Sequence, residues 1–290
     1  MRSAILFLLV ALTVVPAGAL EHRRDPYVGA IAVNAQSGEV IRRDHERDEC
    51  YPASCTKLMT ARLVFKALAD GRLRLNDRLT QSEVSFREKP SWLGIPVGKT
   101  ISVDDGLKAL MVQSANDVAV MFAERISGST AAFVEAMNAE AKLLGMTKTV
   151  FVSPNGYPPP KGSKRGFDRS TAADLAVLAR RLIADYPQIL SYTSLEAITI
   201  PGVVTKEGGL LRMTNHNNLL VGNPRNQIKK MPEVDGLKTG YHQEGGCSVV
   251  VTGQRRGKRV IVVVVGSPSA AQRDQQAGAL LADALGALDW

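Results

Sequence analysis

Three short strings hold residues that could do chemistry together. The first is Ser54-Cys55-Thr56-Lys57, inside YPASCTKLMT. Ser54 and Lys57 are spaced i, i+3, so on a helix they share one face. Coming after Pro52, Ser54 falls near a helix N-terminus, whose dipole favours an alkoxide and a later oxyanion. A serine hydroxyl is a weak nucleophile without a base. A lysine can be that base if burial or nearby cations lower its pKa. The neighbouring Cys55 is rotated by about 100° on a helix and cannot share a face with both, so it is expected as a small buried filler.

The second string is Gln113-Ser114-Ala115-Asn116, in a break between two helical patterns, where Ser and Asn ordinarily serve as caps. The third runs from Val234 through Asp235-Gly236-Leu237 to Lys238-Thr239-Gly240-Tyr241, ahead of a strongly β segment. On a strand edge, Lys238, Thr239 and Gly240 would offer a cation, a hydroxyl and an unobstructed backbone to a ligand carboxylate. Each string alone has an ordinary structural explanation. Their joint occurrence in this order does not.

The elements that must carry these strings follow from pattern. YVGAIAVN and EVIRR, joined by AQSG, read as a hairpin over 27–43. SCTKLMTARLVFKALADG has helical spacing and a helix stop at Asp70-Gly71. Ser102-Val103-Asp104-Asp105 looks like a capping box before GLKALMVQ, and NDVAVMFAERI and AAFVEAMNAEAKLLG continue the helices. Thr171 to Asp174 cap another helix that stops before Pro187. SPNGYPPPKGSKRG, 153–166, reads as a surface loop. LKTGY, CSVVVTG and RVIVVVVG are strands, and AAQRDQQAGALLADALGAL closes the chain as a helix. Strands, then helices, then strands and a helix predict an α+β (α/β) fold: one antiparallel sheet flanked by helices, with an all-helical insertion over about 60–200.

Residues 1–19 have a charge at Arg2, an apolar run and the Ala17-Gly18-Ala19 pattern of a cleaved signal peptide. The run is too short for a bilayer core of ~30 Å, so residues 20–290 are expected as an exported, soluble, single catalytic domain. The net charge of +8 suits an anionic envelope polymer, and no basic run interleaved with aromatics points to nucleic acid. Three cysteines (Cys50, Cys55, Cys247) leave at least one thiol unpaired within a monomer, with the pairing open. The histidines His22, His45, His216 and His242 are scattered, so no metal or cofactor is expected.

Ser-x-x-Lys, Ser-x-Asn and Lys-Thr-Gly are the motif set of penicillin-binding proteins and class A β-lactamases. YPASCTKLMTA, ISVDDGLKALMVQSANDVAV, FVEAMNAEAKLLGM, TVFVSPNG, STAADLAVLARRLI and VDGLKTGY together resemble the serine-type D-alanyl-D-alanine carboxypeptidases, the low-molecular-mass penicillin-binding proteins. The resemblance is near-continuous from Tyr27 to the terminal helix. It implies a penicillin-binding protein/β-lactamase-like fold, peptidoglycan stem peptides as substrate and β-lactams as covalent inhibitors. By position, Ser54 would be acylated, Lys57 would take its proton, and Ser114 would relay a proton to the departing D-alanine. Asn116 would hold the substrate backbone. Lys238 and Thr239 would bind the terminal carboxylate, and the N–H groups of Ser54 and Tyr241, beside Gly240, would form the oxyanion hole.

The chain departs from that pattern at Cys55 and at the Tyr157-PPPKGSK loop. Many relatives carry a C-terminal β-rich domain and a membrane-anchoring helix. Here the terminal helix is expected to pack on the sheet, with no anchor. A class A β-lactamase needs a Glu between the second and third motifs to activate the deacylating water. From Ala141 to Leu195 there is none, only Asp168, Asp174 and Asp185. A DD-endopeptidase would use the same residues, while a non-catalytic binding protein would be expected to have lost one of them.

Overall fold

A computed structural model describes residues 24–160, 162–204, 208–220 and 231–288. The signal peptide expected over 1–19 lies outside the described residues. In chain order the elements are β1 (Gly29–Asn34), β2 (Val40–Asp44), α1 (Lys57–Ala69), β3 (Arg78–Thr80), β4 (Thr100–Ser102), α2 (Val103–Lys108), α3 (Asn116–Ser127) and α4 (Thr130–Leu143). They continue with α5 (Ala172–Asp185), α6 (Ile189–Thr193), β5 (Ala197–Ile198), β6 (Met213–Thr214), β7 (Val234–His242), β8 (Gly246–Arg255), β9 (Lys258–Ser267) and α7 (Ala270–Ala287).

Five strands form one antiparallel sheet in the order β2-β1-β9-β8-β7. Its apolar run of valines is sorted by the two-residue period of a strand. Val249, Val251, Val260, Val262 and Val264 face one way, where Ala277, Leu281, Ala284 and Leu285 of α7 cover them. Val250, Ile261, Val263 and Val265 face the other way and join the larger core of α1, α3 and α5. Both faces are therefore buried, which is why β8 and β9 read as nearly unbroken apolar sequence rather than as alternation.

The helices α1 to α6 all fall between β2 and β7. This insertion also holds two short ladders, β3–β4 and β5–β6, each too brief to leave a periodic signal in sequence. The capping expectations find their bonds: Ser102 Oγ accepts from Asp105 N, and Thr171 Oγ1 accepts from Asp174 N. α7 packs on the sheet, and among the described residues no helix is long and apolar enough to cross a membrane. Cys50, Cys55 and Cys247 are all buried and form no disulfide among the described residues.

One segment differs from its reading. The surface loop expected over 153–166 is exposed mainly from Tyr157 onward, while Ser153, Pro154, Asn155 and Gly156 are buried. Buried backbone needs partners, and they come from elsewhere in the chain. The Asp168 carboxylate accepts from Val152 N, Ser153 N, Ser153 Oγ and Thr56 Oγ1. Thr60 Oγ1 donates to Pro154 O at 2.5 Å. SPNG is thereby pinned against the start of α1.

Candidate active site

Ser54 stands on a single 3-10 turn, Ala53–Thr56, that leads straight into α1. Ala53 has φ of 50°, a left-handed conformation that turns the chain sharply before the serine. Two glycines let other segments reach this turn. A Cβ on Gly240 would lie 2.5 Å from Pro52 O and 3.1 Å from Ser54 N. A Cβ on Gly156, whose φ is 73°, would overlap Ala53 O. The Ser54 turn is thus clasped between β7 and the SPNG segment.

Lys57 is fully buried, and its Nζ has three oxygen neighbours. Ser54 Oγ is at 2.8 Å, Asn116 Oδ1 at 2.7 Å and Asn155 O at 2.7 Å. As an ammonium it donates to all three. As a neutral amine it donates to the two carbonyl oxygens and aims its lone pair at the serine hydroxyl. Burial holds its pKa well below the ordinary lysine value, and the nearby Lys238 pushes the same way; Asp168 and Glu88 oppose. The geometry and the charge together make Lys57 able to take a proton from Ser54.

Ser114 follows a π-helical turn, Ala109–Gln113, and has φ of 61°. Such turns recur where a helix is distorted to re-aim a side chain. Ser114 and Asn116 both line the cleft, and Asn116 N donates to Ser91 O at 2.6 Å. On β7, Thr239, Gly240 and Tyr241 line the same cleft, with Tyr241 largely exposed. Lys238 lies behind this wall, 2% exposed, its Nζ donating to Thr239 O. Burial lowers its pKa to about 8, and Arg273 adds to the shift. The expected residues Ser54, Lys57, Ser114, Asn116, Lys238, Thr239, Gly240 and Tyr241 therefore converge on one cleft of about 390 Å³, with the two lysines behind its surface.

Cys55 lies inward of the turn, its thiol donating to Lys238 O at 3.7 Å. Burial pushes its pKa up to about 11, so it is a filler and not an activated thiol. Several contributors escape the motif strings. Asn155 supplies a backbone oxygen, which carries no side-chain signature. Arg273 lines the same cleft as Thr239 although it belongs to α7. It is 4% exposed and paired with the buried Asp274, which also accepts from Asn218 Nδ2 at 2.8 Å. The adjacent Arg273-Asp274 pair is the one sequence signal for this, and it sits in a polar first half of the helix, Gln272 to Gln276, that reads as an ordinary solvent face. Among the described residues no group of His, Cys, Asp and Glu is placed to hold a metal.

A serine at the head of a helix, a buried lysine one turn on, a Ser-x-Asn corner and a Lys-Thr-Gly strand define the active-site serine class of penicillin-binding folds. The D-alanyl-D-alanine carboxypeptidase family (peptidase S11) matches residues 27–269, and the chain belongs to that family. It is 32% identical over 252 residues to the D-alanyl-D-alanine carboxypeptidase DacF of Bacillus subtilis, covering 87% of this chain and 60% of that one. The chain thus spans about three fifths of the length of the curated relatives it matches. Penicillin-binding protein D2 of Listeria monocytogenes, solved in its ampicillin-bound form, superposes with a TM-score of 0.71 at 29% identity over 90% of this chain and 97% of that one. PBP3 of Streptococcus pneumoniae, described as a peptidoglycan synthesis regulatory factor, gives 0.79 at 30% identity over 90% and 73%.

Proposed function

We propose that this protein is a serine DD-peptidase that removes the terminal D-alanine from peptidoglycan stem peptides through an ester on Ser54. The observation that carries the reading is Lys57, buried, 2.8 Å from Ser54 Oγ and held by two carbonyl oxygens with a lowered pKa. Neutral Lys57 accepts the hydroxyl proton as Ser54 attacks the D-Ala-D-Ala carbonyl. The N–H groups of Ser54 and Tyr241 receive the oxyanion, donors typically worth ~3–4 kcal/mol of barrier each. Ser114 passes a proton to the departing D-alanine nitrogen. Asn116 spends its oxygen on Lys57, leaving its amide N–H groups for the substrate backbone. Thr239 and Arg273, with the charge of Lys238 behind them, receive the substrate carboxylate. Water then releases the shortened peptide.

A β-lactam offers the same carbonyl and a carboxylate, so it acylates Ser54. Among the described residues no carboxylate lines the cleft, so the penicilloyl ester turns over slowly. Residues 1–19 direct export to the compartment where peptidoglycan lies. Fluorescent penicillin is expected to label the wild-type protein and not Ser54→Ala, and D-alanine is expected from a peptide ending in D-Ala-D-Ala. Labelling of Ser54→Ala would overturn the assignment of the nucleophile. Release of monomers from cross-linked dimers in preference to D-alanine would make the enzyme an endopeptidase.

A further inference from the structure

The chain between β3 and β4, residues 81–99, is strapped to the site at three places. Ser91 O accepts from Asn116 N at 2.6 Å. Leu93 N and Gly94 N donate to the buried Asp117 carboxylate at 2.9 and 3.0 Å. The third strap is Glu88, whose Oε2 accepts from Asn155 Nδ2 at 2.8 Å. Asn155 is 1% exposed, and all of its side chain is engaged, since its Oδ1 accepts from Tyr157 N at 2.9 Å. Its carbonyl oxygen is one of the two that hold Lys57 Nζ.

We propose that Glu88 is a positioning residue for Lys57, its carboxylate gripping the Asn155 side chain and so fixing the carbonyl that orients the lysine. The proposal rests on the DD-peptidase reading of the site. Glu88 touches neither the cleft nor the serine, so it acts through Asn155. It brings a charge as well as a grip. The groups facing Lys57 are Lys238 from β7, Asp168 from the segment before α5, Cys55 from its own turn and Glu88 from the β3–β4 segment. Among the described residues no cation lies within ion-pairing distance of Glu88. The neighbouring Lys89 ammonium sits over the Trp92 ring, 4.6 Å from its centre. The negative charge of Glu88 therefore favours the protonated lysine, against the push from Lys238. Removing it lowers the pH at which Lys57 becomes neutral.

The second-order rate constant for acylation by fluorescent penicillin, followed against pH, separates grip from charge. Glu88→Gln keeps an oxygen for Asn155 Nδ2 and loses the charge. Its acid limb is expected to move to lower pH by about half a unit, with the plateau rate within about threefold of wild type. Glu88→Ala loses both, and its plateau is expected to fall about tenfold with the same shift of the limb. Glu88→Asp keeps the charge and is expected to leave the limb in place. A Glu88→Ala plateau equal to that of Glu88→Gln would overturn the proposal, and a Glu88→Asp limb that shifts as far as that of Glu88→Gln would overturn the part given to the charge. Thermal unfolding of each variant shows that the comparison is between folded proteins. Absence of labelling in the wild-type protein at every pH would instead overturn the functional reading on which this one stands.

Discussion

Two buried lysines serve the cleft, and they cannot both carry a charge cheaply at such close quarters. Burial and the charge of Lys238 favour neutral Lys57, while Lys238, with a pKa of about 8, stays protonated at neutral pH. Activity against pH should therefore be bell-shaped. On the acid side Lys57 takes up a proton and can no longer accept one from Ser54. On the alkaline side Lys238 sheds its proton near pH 8, and the positive charge proposed to draw in the substrate carboxylate fades. Lys238→Gln is expected to move the acid limb upward, because Lys57 then binds its proton more tightly, and to raise KM; kcat/KM profiles check both. Cys55→Ala should retain penicillin labelling, and thiol alkylation should leave the folded wild-type protein active, since all three thiols are buried. Intact-mass measurement shows whether the thiols escape alkylation, and penicillin labelling of the treated protein shows whether it stays active.

At the scale of elements, the site is a meeting of a turn, a distorted helix and a strand. Gly240 and Gly156 make that meeting possible, because backbone approaches backbone where any side chain would intrude. Gly240→Ala should displace the Ser54 N–H and lower the acylation rate by about a hundredfold or more, the usual cost of a misplaced oxyanion donor. Gly156→Ala forces a Cβ onto a residue at positive φ and against the Ala53 carbonyl, so both the unfolding temperature and labelling should drop. What was legible beforehand follows from these same contacts. Ser54, Lys57, Ser114, Asn116 and Lys238 to Tyr241 could be read because they stand in short, local strings of residue types suited to the proposed chemistry. Asn155 could not, because its contribution is a main-chain oxygen inside a Pro/Gly-rich stretch that looks like any exposed loop. Its burial depends on Asp168, whose carboxylate meets four donors only once the fold is formed. Arg273 escaped because it is a sheet-packing helix that brings it to the cleft.

At the scale of the whole molecule, the sheet is a wall between two cores. The face toward α1, α3 and α5 supports the site, whereas the face toward α7 mainly supports stability. Leu281 is fully buried against that second face. Leu281→Ala is expected to cost about 2–5 kcal/mol by leaving a cavity. Chemical denaturation would read the loss, and acylation at low temperature should stay close to wild type. The strand order carries a further consequence, one of timing. β1 is made early, yet it lies in the sheet with Asn34 opposite Val260 of β9, the last of the described strands in chain order. A growing chain therefore cannot close this sheet behind Lys238 and Ser54 until β9 has been made. Nascent chains halted before β9 should stay open to protease and blind to penicillin, and the transition to resistance should come in one step when β9 and α7 are free to join.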